Sequence, residues 1–237
     1  MNDLILKTSD LDVYYGESQI LRNISLDIEK NKISAIMGRN GVGKTTLLKT
    51  LLGLLQQKEG EIELDGTSIS TAPTDERIRH GLAYVPQGRE IFPKLSVYEN
   101  LVIGLEALPP GEKKVVPEDE LYGLFPVLGQ MKRRMGGNLS GGQQQQLAIA
   151  RALVGKPKIL ILDEPTEGIQ PSIIQDINKV LIQLKEKGEM TIILVEQYFD
   201  FARKCADHFF LMERGQIALK GTAEELTDEQ IKSYLTF

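Results

Sequence analysis

The chain has 237 residues, of which 41% are hydrophobic and 26% charged, a balance typical of a globular protein with a sizeable core. Its net charge of −5 disfavours a nucleic-acid-binding protein, because contacts to phosphates need clustered lysines and arginines. The pattern predicts neither a membrane span, for which no apolar run approaches the required roughly 18 residues, nor a signal peptide. Cys205 is the only cysteine, which excludes an internal disulfide and makes a reducing cytoplasm the simplest setting.

The first half of the chain predicts strands on both sides of one glycine-rich loop. Two β-type segments, LILKTSDLDVYY and QILRNISLDIE, precede the apolar run ISAIM at 33–37, which is typical of a buried strand. The pattern TTLLKTLLGLL predicts a helix that ends near Gly53. EIELDG at 61–66 predicts a hairpin at its Asp-Gly, and GLAYVPQ at 81–87 predicts another strand.

The second half predicts helices and then alternation. Residues from about 94 to 155 read as helical and loop-rich, with PPGEKKVVPEDE at 109–120 as an exposed connection. Beyond them KILILD, PSIIQDINKVLIQLKEKG and MTIILVEQ predict strand, helix and strand, followed by a helix near 200–206. HFFLMERGQIALKG predicts a hairpin, and the tail AEELTDEQIKSYLTF a short helix. This alternation favours an α/β fold with a mainly parallel sheet.

A phosphate-binding loop is predicted between the strand ISAIM and the helix after it. GRNGVGKT at 38–45 fits G-x-x-x-x-G-K-[ST] without a mismatch. Its glycines let backbone N–H groups turn toward phosphate oxygens, and the helix N-terminus adds about half a positive charge. We expect Lys44 to reach the β- and γ-phosphates and the Thr45 hydroxyl to bind Mg²⁺. The alternative is an ordinary glycine turn. The residues assigned to the nucleotide here are Gly38, Arg39, Asn40, Gly41, Val42, Gly43, Lys44, Thr45 and Thr46.

Two acids follow a second buried strand. In KILILDEP at 158–165, Asp163 emerges at the carboxyl end of the strand, where ligands of open α/β sheets bind. We expect Asp163 to hold Mg²⁺ through its waters and Glu164 to orient and polarise the attacking water. The alternative is a strand end with two solvated acids.

The stretch LSGGQQQQ at 139–146 stands directly before the helical pattern LAIARALV. Composition alone suggests a polar low-complexity linker. A serine hydroxyl, free glycine N–H groups and a helix N-terminus also form an anion site. Because the chain already has one phosphate loop, we expect this segment to cap the γ-phosphate of a nucleotide held by a second subunit. The residues assigned to that contact are Ser140, Gly141, Gly142 and Gln143.

In this order, GRNGVGKTT, LSGGQ and ILILDEPT resemble the ATP-binding subunits of ABC transporters over essentially the whole chain. The segments LSGGQQQQLAIARAL, DEPTEGIQPS and YVPQGREIFPKLSVYENL are most similar to the branched-chain amino acid and urea importers. PTEGIQPSI and LVEQYFDFA look most like the urea type. The resemblance implies a single P-loop NTPase domain of the ABC ATPase type over 1–237, with an N-terminal antiparallel β subdomain. Its nucleotide-binding core would span 1–90 and 156–237, and an inserted helical subdomain carrying LSGGQ about 91–155.

The resemblance also implies further site residues and partners. Tyr15 would stack on adenine, with a core aromatic as the alternative. Gln87 would reach Mg²⁺ and the attacking water. Its loop, with Phe92 and the helix after Lys94, would form the groove for a cytoplasmic helix of a membrane subunit; the alternative for Phe92 is core packing. The resemblance also implies two membrane permease subunits and, indirectly, an extracytoplasmic substrate-binding protein as partners. It implies a position on the cytoplasmic face of the membrane.

Two positions depart from the family pattern. Gln197 stands where a histidine is usual, and Gln170 replaces the usual aspartate. A neutral amide donates or accepts hydrogen bonds but cannot carry the charge of an imidazolium. Both changes weaken a catalytic site in a self-paired subunit, so we expect an asymmetric heterodimer with a related ATPase.

The sequence therefore predicts an ATP-hydrolysing motor of an importer, with urea as the substrate. Branched-chain amino acids and short-chain amides are the alternatives. A soluble ABC ATPase of DNA repair or of the ribosome is disfavoured, because about a hundred residues separate the phosphate loop from LSGGQ and each motif occurs once. A pure binding module is disfavoured by the intact pair of Asp163 and Glu164.

Overall fold

The computed structural model describes residues 3–109, 111–188 and 190–235. Within them the chain forms two sheets with helices between and around them. The strands are β1 Leu4–Tyr15, β2 Ser18–Glu29, β3 Ile33–Met37, β4 Glu59–Leu64, β5 Thr67–Ser68, β6 Leu82–Val85, β7 Ile159–Asp163, β8 Thr191–Glu196, β9 His208–Glu213 and β10 Gln216–Thr222. The α-helices are α1 Lys44–Leu51, α2 Thr74–Arg79, α3 Val97–Gly104, α4 Glu118–Leu124, α5 Pro126–Gln130, α6 Gly141–Val154, α7 Pro171–Glu186, α8 Phe199–Cys205 and α9 Asp228–Ser233.

The smaller sheet is antiparallel and comes from the first part of the chain. Its order is β2-β1-β4-β5. Two long strands of 12 residues each form a ribbon, and β4 joins the other edge of β1. The Asp65-Gly66 turn links β4 to β5, as the sequence predicts. Asp65 has a φ of 51° and Gly66 a φ of 75°, the left-handed pair that a tight hairpin turn requires.

The larger sheet is mainly parallel. Its order is β10-β9-β3-β8-β7-β6. Five strands run parallel to one another, in the order β9, β3, β8, β7 and β6. The edge strand β10 is antiparallel to β9, with which it forms a hairpin. Right-handed crossovers through helices connect strands of this kind, and the long helix α7 lies between β7 and β8 in sequence. The predicted mainly parallel sheet is confirmed.

Both faces of the larger sheet are buried, and this explains the unbroken apolar runs of its strands. Ile159 and Ile161 pack with the smaller sheet and α1 in one core. The alternate residues Leu160 and Leu162 pack with α6 and α7 in a second core on the opposite face. Side chains alternate across a strand, so a strand covered on both sides must be apolar throughout.

The region between β6 and β7 is helical, as predicted. α3 and α6 pack against each other, and Leu101, Leu147 and Phe125 belong to one continuous core. The connection predicted at 109–120 is exposed at Pro109 and at 111–115, whereas Pro110 lies outside the described residues. Its last part is predicted wrongly, because Val116 is buried and α4 begins at Glu118. The tail forms α9, with 236–237 outside the described part. Division of the chain into a core and a separate helical subdomain stays a prediction. No described helix has the length and apolarity needed to cross a membrane.

The short helix α2, which the sequence analysis does not predict, carries a buried arginine. Arg77 is 2% exposed, and its guanidinium donates to the carbonyls of Thr50 and Leu51 at 2.8 Å each. It also donates to the carbonyls of Ser70 and Ala72 at 3.1 and 2.9 Å. The last carbonyls of a helix lack intrahelical partners, and a cation is favourable there. Arg77 therefore closes the C-terminal end of α1, the helix that begins at the glycine loop.

We expect Arg77→Met to lower the free energy of unfolding by about 2 to 3 kcal/mol, because it removes the donor to the carbonyls of Leu51 and Ala72. The control is Arg79→Met on the same helix, whose guanidinium is exposed and pairs with Asp75 at the surface. It should stay within about 0.5 kcal/mol of wild type. Urea unfolding measures both, and equal losses in the two variants would refute the capping role of Arg77.

Candidate active site

The carboxyl ends of three adjacent strands meet at one edge of the larger sheet. β3, β8 and β7 are neighbours, with Met37 opposite Glu196 and Asp163 opposite Val195. The glycine loop leaves β3 at this edge. Asp163 ends β7 and Glu164 follows it, while Glu196 ends β8 and Gln197 follows it. Ligands of open parallel sheets bind at such an edge.

The glycine loop runs from Gly38 to Gly43, and its first glycine is held close to a neighbouring strand. A Cβ at Gly38, whose φ is 157°, would lie 2.5 Å from the Met212 carbonyl oxygen. Gly43 has a φ of 109° and precedes α1, and a Cβ there would lie 2.7 Å from Leu21. The backbone path therefore demands glycine at both positions. It brings main-chain N–H groups and the N-terminus of α1 to one concave turn, which is the donor set that phosphate oxygens require.

Lys44 is buried at the start of α1 and points back under the loop. Its Nζ donates to the carbonyls of Gly38 at 2.8 Å and Arg39 at 3.0 Å. The Glu164 carboxylate lies 3.6 Å from the same nitrogen. Burial lowers the pKa of Lys44, while Glu164 and Asp163 oppose the shift. The ammonium is thus placed between the loop and the acidic end of β7.

Glu164 is the centre of the site's contacts. The Gln197 amide donates to Oε1 of Glu164 at 2.5 Å, and the Gln87 amide approaches Oε2 at 3.4 Å. The Gln197 amide also donates to the Asn40 side chain in the glycine loop at 2.8 Å. Glu164 has a φ of 45°, which is uncommon for a residue with a side chain and is found at sites that orient a functional group. The structure brings together the residues predicted for catalysis.

Asp163 has a partner that the sequence analysis missed. The Tyr84 hydroxyl, on the adjacent strand β6, donates to Oδ2 of Asp163 at 3.0 Å. Asp163 is 4% exposed, and burial raises its pKa while the Tyr84 hydrogen bond lowers it. Tyr84 lies within the predicted strand GLAYVPQ, but pairing of β6 with β7 is not visible in sequence. This hydroxyl fixes one oxygen of the carboxylate.

The donors near the loop fit a hard cation. The Thr45 hydroxyl and the Asp163 carboxylate supply oxygens, the ligands that Mg²⁺ prefers, and Mg²⁺ is usually held by one or two carboxylates plus substrate phosphates. Among the described residues no cluster of three or more His, Cys, Asp or Glu could hold a metal by itself. The side chains thus suit a cation that arrives with a phosphate ligand, and they do not form a zinc-type cage.

Two more residues missed by the sequence analysis lie beside Gln87. The Gln87 amide donates to the Glu167 carboxylate at 2.9 Å, a shorter contact than the one with Glu164. The Arg89 guanidinium donates to the Glu167 carbonyl at 3.0 Å. The loop after β6 is therefore tied to the loop after β7 by side chains from both.

The predicted anion-binding segment forms the start of α6 and lies beside Arg89 of this network, because a Cβ at Gly141 would be 3.0 Å from the Arg89 guanidinium. Ser140 is the N-cap of α6, and Ser140 and Gln143 form a capping box. The Ser140 backbone N–H donates to the Gln143 side chain at 2.9 Å. The spacing S-x-x-Q signals such a box, which the sequence analysis did not use. The linker interpretation is wrong, because residues 141–146 form the first turns of α6 and Gly142, Gln145 and Gln146 are buried; Ser140 at the N-cap is exposed.

Two aromatic residues lie at the surface, contrary to their core alternatives. Tyr15, the last residue of β1, is 47% exposed, and Phe92 is 45% exposed. The Arg151 guanidinium stacks over the Phe92 ring at 5.4 Å from its centroid. Both rings are thus available to a partner or ligand.

Comparison with known proteins agrees with this geometry. The family described as ABC transporter matches residues 21–167. The chain is 39% identical to the high-affinity branched-chain amino acid transport ATP-binding protein BraG of Pseudomonas aeruginosa, covering 96% of this chain and 97% of BraG. It is 38% identical to the probable branched-chain amino acid transport ATP-binding protein LivF of Archaeoglobus fulgidus, covering 95% of each.

A solved structure supports the fold independently. The ADP conformation of MJ1267, an ATP-binding cassette of an ABC transporter, matches with a TM-score of 0.82 and 31% identity over 98% of this chain and 94% of that one. The fold therefore occurs in an ATP-binding cassette of an ABC transporter. The protein belongs to the ABC transporter family, as an ATP-binding subunit whose ATP hydrolysis is coupled to transport.

Proposed function

We propose that this chain is the motor subunit of an importer, on the cytoplasmic face of the membrane, and that it hydrolyses ATP with Glu164 as the residue that orients water. The observation that carries the proposal is the convergence on one carboxylate. Three side chains contact Glu164: Lys44 at the start of α1, Gln87 in the loop after β6 and Gln197 in the turn after β8. Three segments that would surround a γ-phosphate thus meet at the acid.

The nucleotide is held by residues 38–46. The glycine loop and the N-terminus of α1 surround the phosphates, and Lys44 binds the β- and γ-phosphate oxygens in place of its present carbonyl partners. Thr45 and Asp163 hold Mg²⁺, with Gln87 as a further oxygen donor. The cation supplies charge neutralisation on the phosphates. Tyr15, exposed at the end of β1, stacks on adenine.

Hydrolysis needs a water in line with the γ-phosphate. Glu164 accepts a hydrogen bond from that water and polarises it, and Gln87 supplies a second contact. Gln197 donates to Glu164 and to Asn40. It therefore fixes the acid relative to the glycine loop, where an imidazole would also bring charge.

A second ATPase subunit completes the site. Ser140, Gly141, Gly142 and Gln143 cap the γ-phosphate of a nucleotide on the partner, through donors at the start of α6, where Ser140 is exposed. Gln170 precedes α7, and its amide donates to Ser172 at 3.2 Å. Neither Gln170 nor Gln197 can supply the charge of the usual aspartate or histidine. An unlike partner with the usual residues compensates for both.

The membrane subunits dock beside Gln87. A surface groove next to this loop is lined by Tyr84, Phe92, Ile103, Ala107 and Arg151. The lining is mostly apolar and includes the charged side chains of Glu90 and Arg151, a combination that suits an amphipathic helix. The loop after β6 carries both Gln87, which contacts Glu164, and Phe92, which lines the groove. Closure of the two ATPase subunits around ATP therefore moves the groove. Two permease subunits, fed by an extracytoplasmic binding protein, complete the importer.

The transported substrate is a small organic nitrogen compound. BraG and LivF are named for branched-chain amino acid transport, and their coverage of almost the whole chain makes these amino acids the first candidate. Urea is the second candidate, favoured by the segments PTEGIQPSI and LVEQYFDFA.

Lys44→Ala should remove measurable ATP binding, a loss of roughly a hundredfold or more in affinity, because it deletes the ammonium that pairs with phosphate oxygens. Calorimetric titration with ATP measures it. The matched control is Lys49→Ala, an exposed lysine on the same helix, which should keep wild-type affinity. Unchanged ATP affinity in a folded Lys44→Ala variant would reject the phosphate-loop assignment.

The purified chain alone should hydrolyse ATP at a small fraction of the rate per site of the complete transporter, because a homodimer carries Gln170 and Gln197 at both sites. The double substitution Gln170→Asp with Gln197→His should raise the turnover of the isolated chain. Steady-state release of phosphate measures both. Turnover by the isolated wild-type chain at the full transporter rate would overturn the heterodimer.

Deletion of the gene should abolish uptake of labelled leucine by nitrogen-starved source cells, and the wild-type gene should restore it while Glu164→Gln does not. Uptake of labelled urea is measured in parallel. Loss of urea uptake alone would move the substrate to the second candidate. If neither changes after related ATPases are also deleted, the importer function is wrong.

A further inference from the structure

A buried carboxylate at the end of β8 has no part in the proposed chemistry so far. Glu196 is 2% exposed and directly precedes Gln197. It accepts hydrogen bonds from the Thr166 hydroxyl at 2.6 Å and the Thr166 backbone N–H at 3.1 Å. It also accepts from the backbone N–H groups of Gln197 at 2.9 Å and Tyr198 at 3.0 Å. A buried charge is costly unless it is fully hydrogen-bonded, and this one has four donors.

The two oxygens of Glu196 hold two different loops. Oε1 takes both bonds from Thr166, two residues beyond Glu164. Oε2 takes both bonds from the turn that carries Gln197. An ionised carboxylate is acceptor-only at both oxygens, which matches four donors; an amide in its place would present N–H to one of the two loops.

The contacts close a ring around Glu164. The Glu164 backbone N–H donates to the Val195 carbonyl at 2.9 Å, so the residue before Glu196 holds the start of the segment. Thr166 is held by Glu196 itself. The Gln197 amide returns to the Glu164 carboxylate. Any shift of the Gln197 turn relative to Thr166 therefore changes the direction from which Gln197 meets Glu164.

We propose that Glu196, acting with Thr166, is a positioning residue that sets the Gln197–Glu164 contact and thereby the orientation of the attacking water. This inference rests on the proposed function of Glu164. It adds a role for residues that touch neither the nucleotide nor the water. Polar networks with all groups satisfied fix one arrangement, and removal of a single member frees the others.

Thr166→Val tests the proposal because it keeps the shape and removes one hydroxyl donor. In the complete transporter, purified through a tag on this chain, we expect kcat for ATP to fall by roughly ten- to a hundredfold, the scale of a small misplacement at an active site. ATP affinity should stay within about twofold of wild type, because the glycine loop is unchanged. Thr166→Ser keeps the donor and should restore most of kcat.

The matched control is Thr8→Val. Thr8 is also a buried threonine, whose hydroxyl donates to the Ile24 carbonyl and accepts from the Leu26 N–H in the smaller sheet. Its loss should lower thermal stability with kcat unchanged. Equal kcat in Thr166→Val and Thr8→Val would overturn the positioning role.

A double-mutant cycle separates positioning from general structure. If Thr166 acts through Gln197, then Thr166→Val should cost almost nothing further in a Gln197→Ala background, whereas an independent structural effect would add in full. Additive losses would therefore overturn the proposal. A second cycle that combines Glu196→Gln with Gln197→Ala tests the Glu196 carboxylate itself. If Glu196→Gln does not fold, the cycle with Thr166→Val still tests the proposal.

Amide hydrogen exchange distinguishes this proposal from the proposed function. In nucleotide-free Glu196→Gln, the backbone N–H groups of Thr166, Gln197 and Tyr198 should exchange faster than in wild type. In Thr166→Val, the N–H groups of Gln197 and Tyr198 should also exchange faster. Both results are expected whether or not the protein hydrolyses ATP. A wild-type transporter that binds ATP without turnover would overturn the function of Glu164. Normal turnover in the variants, with faster exchange, would overturn the positioning role alone.

Discussion

The parallel alignment of β3, β8 and β7 is the constraint on which the whole site depends. Their register puts Met37 level with Glu196 and Asp163 level with Val195. The residues that follow each strand therefore emerge within contact distance of one another, although they are far apart in sequence. Three separate turns become one site only because the strands run in the same direction and end at the same edge.

Burial on both faces of the sheet then determines where polarity can occur. Between their ends the central strands carry almost only apolar side chains, which divide between two cores. Asp163 and Glu196, the last residues of β7 and β8, are acids that remain buried. Burial raises the pKa of both, and donors from neighbouring elements oppose that shift. Tyr84 and Thr166 are thus part of what makes a charged strand end compatible with a dry sheet.

The sequence predicts the parts of this protein that have a local signature. The glycine loop, the acidic end of β7 and the alternation of strands and helices each follow from a short pattern with a physical reason. Tyr84 and Thr166 could not be predicted, because their importance comes from partners on other strands or loops. Arg77 was missed because α2, with six residues, is too short to show a helical period.

Glu196 has a local signature in the sequence. An acid as the last residue of an otherwise apolar strand signals a special environment, as it does at Asp163. In LVEQ it stands next to Gln197, the residue that departs from the family pattern. The four donors that bind the Glu196 carboxylate cannot be predicted from the sequence, because two of them belong to Thr166, 30 positions away.

The amide of Gln197 changes how charge is balanced around Glu164. Its nitrogen donates both hydrogens, one to Asn40 and one to Glu164, so it fixes geometry but adds no charge. Lys44, 3.6 Å from the same carboxylate oxygen, supplies the positive charge at that point. On the proposed function, Lys44 would bind phosphate oxygens instead, and Glu164 would be left with neutral donors as a stronger hydrogen-bond acceptor. Nucleotide binding would thus prepare the acid for water, provided that Gln197 keeps its direction, and that direction depends on the backbone turn held by Glu196.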